Sequence, residues 1–117
     1  MVDINSLDPG IRRVVAFLRE RGFETTDSGD GVTKPAAGDT EALTEPHVFM
    51  VANWSSLINE ANRLLLVLDE HGVDTSDLVV EASYDPRNQV GVVALVGLND
   101  AMLAAAKSHK KGEAYHG

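Results

Sequence analysis

The chain of 117 residues contains no cysteine. That excludes disulfides, thiolate zinc sites and cysteine nucleophiles, and it agrees with a reducing compartment. Rings are scarce, with three Phe, two Tyr and one Trp, so the core is expected to be aliphatic. Positive charge is also short: 10 Lys and Arg stand against 18 Asp and Glu, for a formal net charge of -8. Nucleic-acid binding depends on neutralising phosphates with Lys and Arg, so this balance argues against a nucleic-acid partner. No apolar run reaches the ~18 residues that a membrane-spanning helix needs. Met1-Val2-Asp3-Ile4-Asn5 lacks the basic and apolar regions of a signal peptide. The expectation is a cytoplasmic protein with no membrane partner.

What is present suits one domain, for which roughly 100–150 residues is the commonest size, and the apolar share of 44% can supply a core. Asp8-Pro9 suits a helix start, with Asp as cap and Pro at the first position. Ile11, Val14, Val15 and Leu18 then recur at helical spacing, and Gly22 is the expected stop. Phe23 to Asp27 reads as a short strand. The stretch 28–46 carries three Gly, two Pro and several acids without apolar period. Connections of that length are usually functional or disordered. His47 to Val51 reads as a strand. The helix expected over 55–71 carries Leu57, Ile58, Ala61, Leu64, Leu65 and Leu68 as one broad stripe. Leu78–Tyr84 and Gln89–Val96 read as strands joined by the turn Asp85-Pro86-Arg87-Asn88. Asn99 is expected to cap a short last helix over 101–106.

The expected fold class is α/β (α+β): a mixed sheet of about four strands with two or three helices in a single compact domain. A strand-helix-strand crossover from His47 to Tyr84 would place two parallel strands in that sheet. The domain is expected over 1–107, with a polar loop at 28–46 and a flexible basic tail over 108–117. Leu78-Val79-Val80 and Val92 to Val96 are apolar without alternation, so both faces of the sheet need cover. Either the first helix or a second subunit would supply it, hence an expected homo-oligomer.

Side chains able to do chemistry concentrate in Thr25-Thr26-Asp27-Ser28-Gly29-Asp30-Gly31. Gly permits tight turns, and Thr, Ser and Asp offer hydrogen bonds at short range. The carboxylates Asp27 and Asp30 could bind a ligand, hold a metal or divide acid and base roles. Lys34 is the only basic side chain from Glu24 to Glu60 apart from histidine, and it is a candidate for an anionic ligand. His47 could carry a proton. Trp54 offers a stacking face at a strand-to-helix junction. Tyr84 and Arg87 follow another strand end, and Arg87 offers a planar fork for phosphate or carboxylate. Trp54 and Tyr84 are expected at the same end of the sheet. The candidate ligand-binding set is Thr25, Thr26, Asp27, Ser28, Asp30, Lys34, His47, Trp54, Tyr84 and Arg87. No Gly-x-Ser-x-Gly elbow, His-x-x-x-His pair or phosphate-loop Gly-Lys-Ser/Thr occurs, so no catalytic set, metal or cofactor is expected.

Leu7-Asp8-Pro9-Gly10-Ile11-Arg12 and Gly22 to Gly31 resemble segments of small proteins encoded by phages of actinobacteria. Pro46-His47-Val48 and Ala82-Ser83-Tyr84-Asp85-Pro86 are similar too, so the likeness spans most of the chain. It implies a phage or prophage origin and no reaction type. The expected function is a non-catalytic binder that sequesters a small molecule, a nucleotide-type immune signal of the host. The alternatives are a small hydrolase or lyase using Asp27, Asp30 and His47, and an acidic protein-interaction module.

Overall fold

The computed structural model describes residues 4–31 and 45–113, except the side chains of 107–113. Strand β1 (Glu24–Gly29) follows helix α1 (Arg12–Glu20), and strand β2 (His47–Ala52) leads to helix α2 (Leu57–Glu70). The hairpin of β3 (Val79–Asp85) and β4 (Val90–Val96) comes next, and helix α3 (Asp100–Glu113) closes the order. The result is an α+β domain with one four-stranded sheet and three α-helices.

The sheet order is β1-β2-β4-β3, and each neighbouring pair is antiparallel. The expected mixed sheet is therefore corrected in one respect. β2 and β3 do run parallel to each other across the α2 crossover, but β4 lies between them. The physical reason is the composition of β4. Val92 to Val96 are all apolar, and a strand apolar on both sides gains most from a central place. Its short connection to β3 also keeps the two strands adjacent.

One face of the sheet carries the core. Val48, Met50 and Ala52 of β2 alternate with half-buried residues, and they oppose Leu95, Val93 and Gly91 of β4. Val14, Val15, Phe17 and Leu18 of α1, Leu57, Leu64 and Leu68 of α2, and Leu103 of α3 complete one cluster. All three helices thus contribute to the same side. Gly91 makes this possible at one end: a Cβ there would lie 2.8 Å from Leu57 Cδ1, so glycine lets α2 start close against the sheet.

Three local expectations change. Asp8 makes no side-chain cap on the turn Pro9–Ile11. Instead the carboxylate of Asp100 accepts from the amides of Arg13 (3.0 Å) and Val14 (2.9 Å), across most of the chain. Ile58 and Leu65, placed in the buried stripe from sequence, are exposed. The buried line runs through Leu57, Leu64 and Leu68, and Ile58 and Leu65 sit one residue, about 100°, around the helix. Finally, α3 runs over Asp100–Glu113, longer than the short helix expected over 101–106. Asn99 does cap α3, its Oδ1 accepting from the Met102 amide at 2.9 Å. Among the described residues no helix is long and apolar enough to cross a membrane.

The burial pattern sets an expectation for stability. Leu68→Ala should cost about 2–5 kcal/mol, the range for a truncated core leucine. Leu66→Ala, on the opposite side of α2 and exposed, should stay within about 0.5 kcal/mol. Urea unfolding of both variants checks this, and equal effects would contradict the assigned helix phase.

Candidate functional site

Antiparallel pairing of β1 with β2 separates the candidate residues into two groups at opposite ends of the sheet. Gly29 opposes His47 at one end, whereas Glu24 opposes Val51 near the other. Trp54 follows the Ala52 end of β2, and Tyr84 opposes Gly91, which itself opposes Ala52. Trp54 and Tyr84 therefore share an end, as expected, and the Asp27–Asp30 stretch lies at the other.

In the first group most polar atoms serve the backbone or each other. Thr25 Oγ1 accepts from Arg19 Nε at 2.8 Å. Thr26 sits where the pairing shifts between Thr25 and Asp27, and its hydroxyl donates to the Phe49 carbonyl at 3.3 Å. Asp27 points to the helix-free face, opposite Phe49, and its carboxylate accepts from the Ser28 amide at 2.9 Å. Ser28 is half-buried opposite Val48. Asp30 is only 5% exposed. Its Oδ2 accepts from the Gly10 amide, and its own amide donates to Asp8 Oδ2, both at 3.2 Å. That carboxylate ties the end of β1 to the turn before α1. The His47 ring lies over Gly29, where a Cβ would stand 2.6 Å from Cε1, and Nδ1 donates to the Glu45 carbonyl at 3.1 Å. Asp27 and His47 thus share the helix-free face, whereas the Asp30 carboxylate is bound to the Gly10 amide. Lys34 lies outside the described residues, as does most of the 28–46 loop.

The second group forms a groove. Asn53 caps the turn before α2, its Oδ1 accepting from the Ser55 amide at 3.0 Å and from the Ser55 hydroxyl at 2.9 Å. This turn holds Trp54 beyond the strand ends. The Trp54 and Tyr84 rings meet with centroids 4.6 Å apart and a tilt of 56°, yet they remain 56% and 44% exposed. They flank an open groove of about 470 Å³ between α2 and β3, with Leu57, Ile58 and Ala82 as apolar lining and Ser55 and Ser83 as polar lining. Ile58 and Ala82 were missed as site residues from sequence. The signal was available in the stripe of α2, which is too wide for all of its members to reach one core.

Arg87 lies in the turn after Tyr84. Among the described residues its guanidinium has no hydrogen-bond partner, while its backbone amide donates to Asp85 Oδ1 at 3.0 Å. The Asn88 side-chain amide donates to Asp85 Oδ2 at 2.8 Å. Asn88 above all, helped by the two turn amides and the charge of Arg87, holds the Asp85 carboxyl below its ordinary value of 3.8.

A second groove, of about 280 Å³, lies between α1 and α3 and is lined in part by Arg13, Arg21 and His71. Its Arg21 is engaged over the Phe17 ring, 3.6 Å from the centroid. Among the described residues no group of three or more His, Asp or Glu could hold a metal ion. No family model matches the chain, and neither a curated protein nor a solved structure matches it.

Two expectations follow from these contacts. Asp30→Ala should destabilise the fold by about 1–3 kcal/mol, since it leaves the part-buried Gly10 amide without its acceptor. Asp27→Ala, which removes only an exposed bond to the next amide, should be nearly neutral in the same thermal melts. Asn88→Ala should return the Asp85 pKa toward its ordinary value, as read by carboxyl NMR titration. Because the folded value is depressed, the Asp85 contribution is present above pH 3.8. It disappears as pH falls through the lowered value. An unchanged Asp85 titration would show that Asn88 is not the cause.

Proposed function

We propose that the chain is a small-molecule-binding protein that acts by sequestration, and that its ligand carries a planar ring of the nucleotide type. The Trp54–Tyr84 pair supports this reading. Two large rings lie in contact but exposed at a groove mouth, where burial against a third ring would remove apolar area from water. Stacking of a base on an aromatic side chain is worth about 1–3 kcal/mol. Arg87, in the turn next to Tyr84, offers a fork for a phosphate. The Ser55 hydroxyl donates to Asn53 Oδ1, which suits it to positioning the turn. Combined with the resemblance to small phage proteins, the ligand would be a nucleotide immune signal of the bacterial host, depleted by binding without turnover.

An acidic protein-interaction module is the second reading. The helix-free face supports it: Phe49, Val51, Val92 and Ala94 form its middle, and Glu24, Asp27, Glu81 and Asp85 stand on its two outer strands. A partner for that face would bring an apolar surface flanked by Lys and Arg.

Trp54 is the only tryptophan, so its fluorescence reports on the groove alone. Titration with adenosine monophosphate and a cyclic adenine dinucleotide should quench it, and denaturation should return the nucleotide unaltered. Tyr84→Ala should weaken binding roughly tenfold. Silence across both nucleotides, or recovery of an altered one, overturns the proposal.

A further inference from the structure

We infer that two copies of this chain pair through the edge strand β3, joining their sheets into one of eight strands with the two α2 helices packed over the seam. The inference does not rest on a ligand, although Ile58, Ala82 and Tyr84 serve both the groove and the seam.

The edge itself is the first observation. β3 is the last strand of the sheet and pairs with β4 over seven residues without a shift in register. Among the described residues nothing pairs with its outer side. β1, the other edge, is broken by a bulge, a common protection against unwanted pairing. β3 (Val79-Val80-Glu81-Ala82-Ser83-Tyr84-Asp85) has no proline, no lysine and no bulge.

Self-complementarity selects the register. An antiparallel pair with its twofold axis at Ala82 sets Val80 opposite Tyr84 on the helix side. On the other side it sets Glu81 opposite Ser83 and Val79 opposite Asp85. Continued past the strand, the same register brings Asp77 toward Arg87. No like charges oppose each other. Moving the axis by one residue destroys this. At Glu81 it places Glu81 against itself and Asp77 against Asp85, and at Ser83 it places Glu81 against Asp85. Directly opposed like charges disfavour a strand pair.

The helices fit the same axis. α2 packs over β3 and β4. Arg63 donates to the Arg21 carbonyl and covers Phe23, so that flank of α2 faces α1 and β1. Ile58 and Leu65, 65% and 36% exposed, lie on the opposite flank, toward the β3 edge. Two strand spacings of about 4.8 Å would separate the two α2 axes by about 9.6 Å, within the 8–10 Å of packed helices. The heights agree too. Leu57 sits at the level of Gly91, the partner of Tyr84. Five helical residues from Leu57 to Asn62 advance about 7.5 Å, and two strand residues from Tyr84 to Ala82 advance about 6.6 Å. The midpoint of the exposed flank therefore lies over the axis, and Ile58 meets Leu65 of the second copy beside the Trp54–Tyr84 groove.

The absence of native cysteine makes the test clean. Light scattering of the unmodified chain at micromolar concentration should give twice the 12.5 kDa monomer mass. Ala82→Cys should form an intermolecular disulfide on mild oxidation, since residues opposite one another in antiparallel strands have Cα atoms about 4.5–5.5 Å apart. Thr26→Cys on the β1 edge and Ala94→Cys on the helix-free face should not. Ala82→Lys, at an exposed position, should keep native circular dichroism and become monomeric. A monomeric parent chain, preferential crosslinking through position 26 or 94, or a dimeric Ala82→Lys variant each overturns the inference.

Discussion

Burial of a single sheet face is the constraint on which the rest of the molecule depends. β2 and β4 turn alternate side chains into one aliphatic cluster, and the three helices all contribute to that cluster. With few rings to fill volume, α2 must come close, and Gly91 provides the space for Leu57. Close docking at Leu57 has a consequence three residues earlier. The turn capped by Asn53 has no sheet beneath it, so Trp54 projects past the strand ends and meets Tyr84. The exposed aromatic pair is thus a result of how α2 begins.

Carboxylates do much of the long-range joining in this acidic chain. Asp100, the first residue of α3, accepts from two amides at the start of α1. Those amides belong to the four that a helix start leaves without intrahelical partners, and a negative charge there also meets the favourable end of the helix dipole. Asp30 and Asp8 link the end of β1 to the turn preceding the same helix. Bonds to charged acceptors contribute about 1.5–3 kcal/mol each, a sizeable part of the roughly 5–15 kcal/mol that holds a domain together. Asp30, a candidate by residue type, thus has a structural role in joining β1 to the start of α1.

The sequence was legible where the governing interactions are local. The helical spacing of Ile11, Val14, Val15 and Leu18, the stop at Gly22 and the Asn99 cap occur as read, and the turn after Tyr84 is displaced by one residue, to Pro86–Gln89. So does the shared end of Trp54 and Tyr84. Long-range choices were not legible. The insertion of β4 between β2 and β3 depends on competition among strands for the centre of the sheet. The exposure of Ile58 and Leu65 depends on which part of a wide stripe the sheet can reach. The partner of Asp100 lies 86 and 87 residues away, beyond any local pattern. Polarity alone marked 25–31 as a site, but polarity cannot distinguish an acid facing solvent from one satisfied inside a turn.

The charge balance decides what kind of recognition the groove could support. A nucleotide phosphate approaching a chain of net charge -8 meets general repulsion, but screening limits that field to about 8 Å at physiological salt. Within that range Arg87 attracts, while the carboxylate of Asp85, in the same turn, opposes it. The remaining favourable contribution is the ring area of Trp54 and Tyr84 with the apolar side chains beside it. In the proposed reading, stacking carries the affinity and Arg87 orients the phosphate. Recognition of this kind needs no basic surface, which reconciles an acidic protein with an anionic ligand.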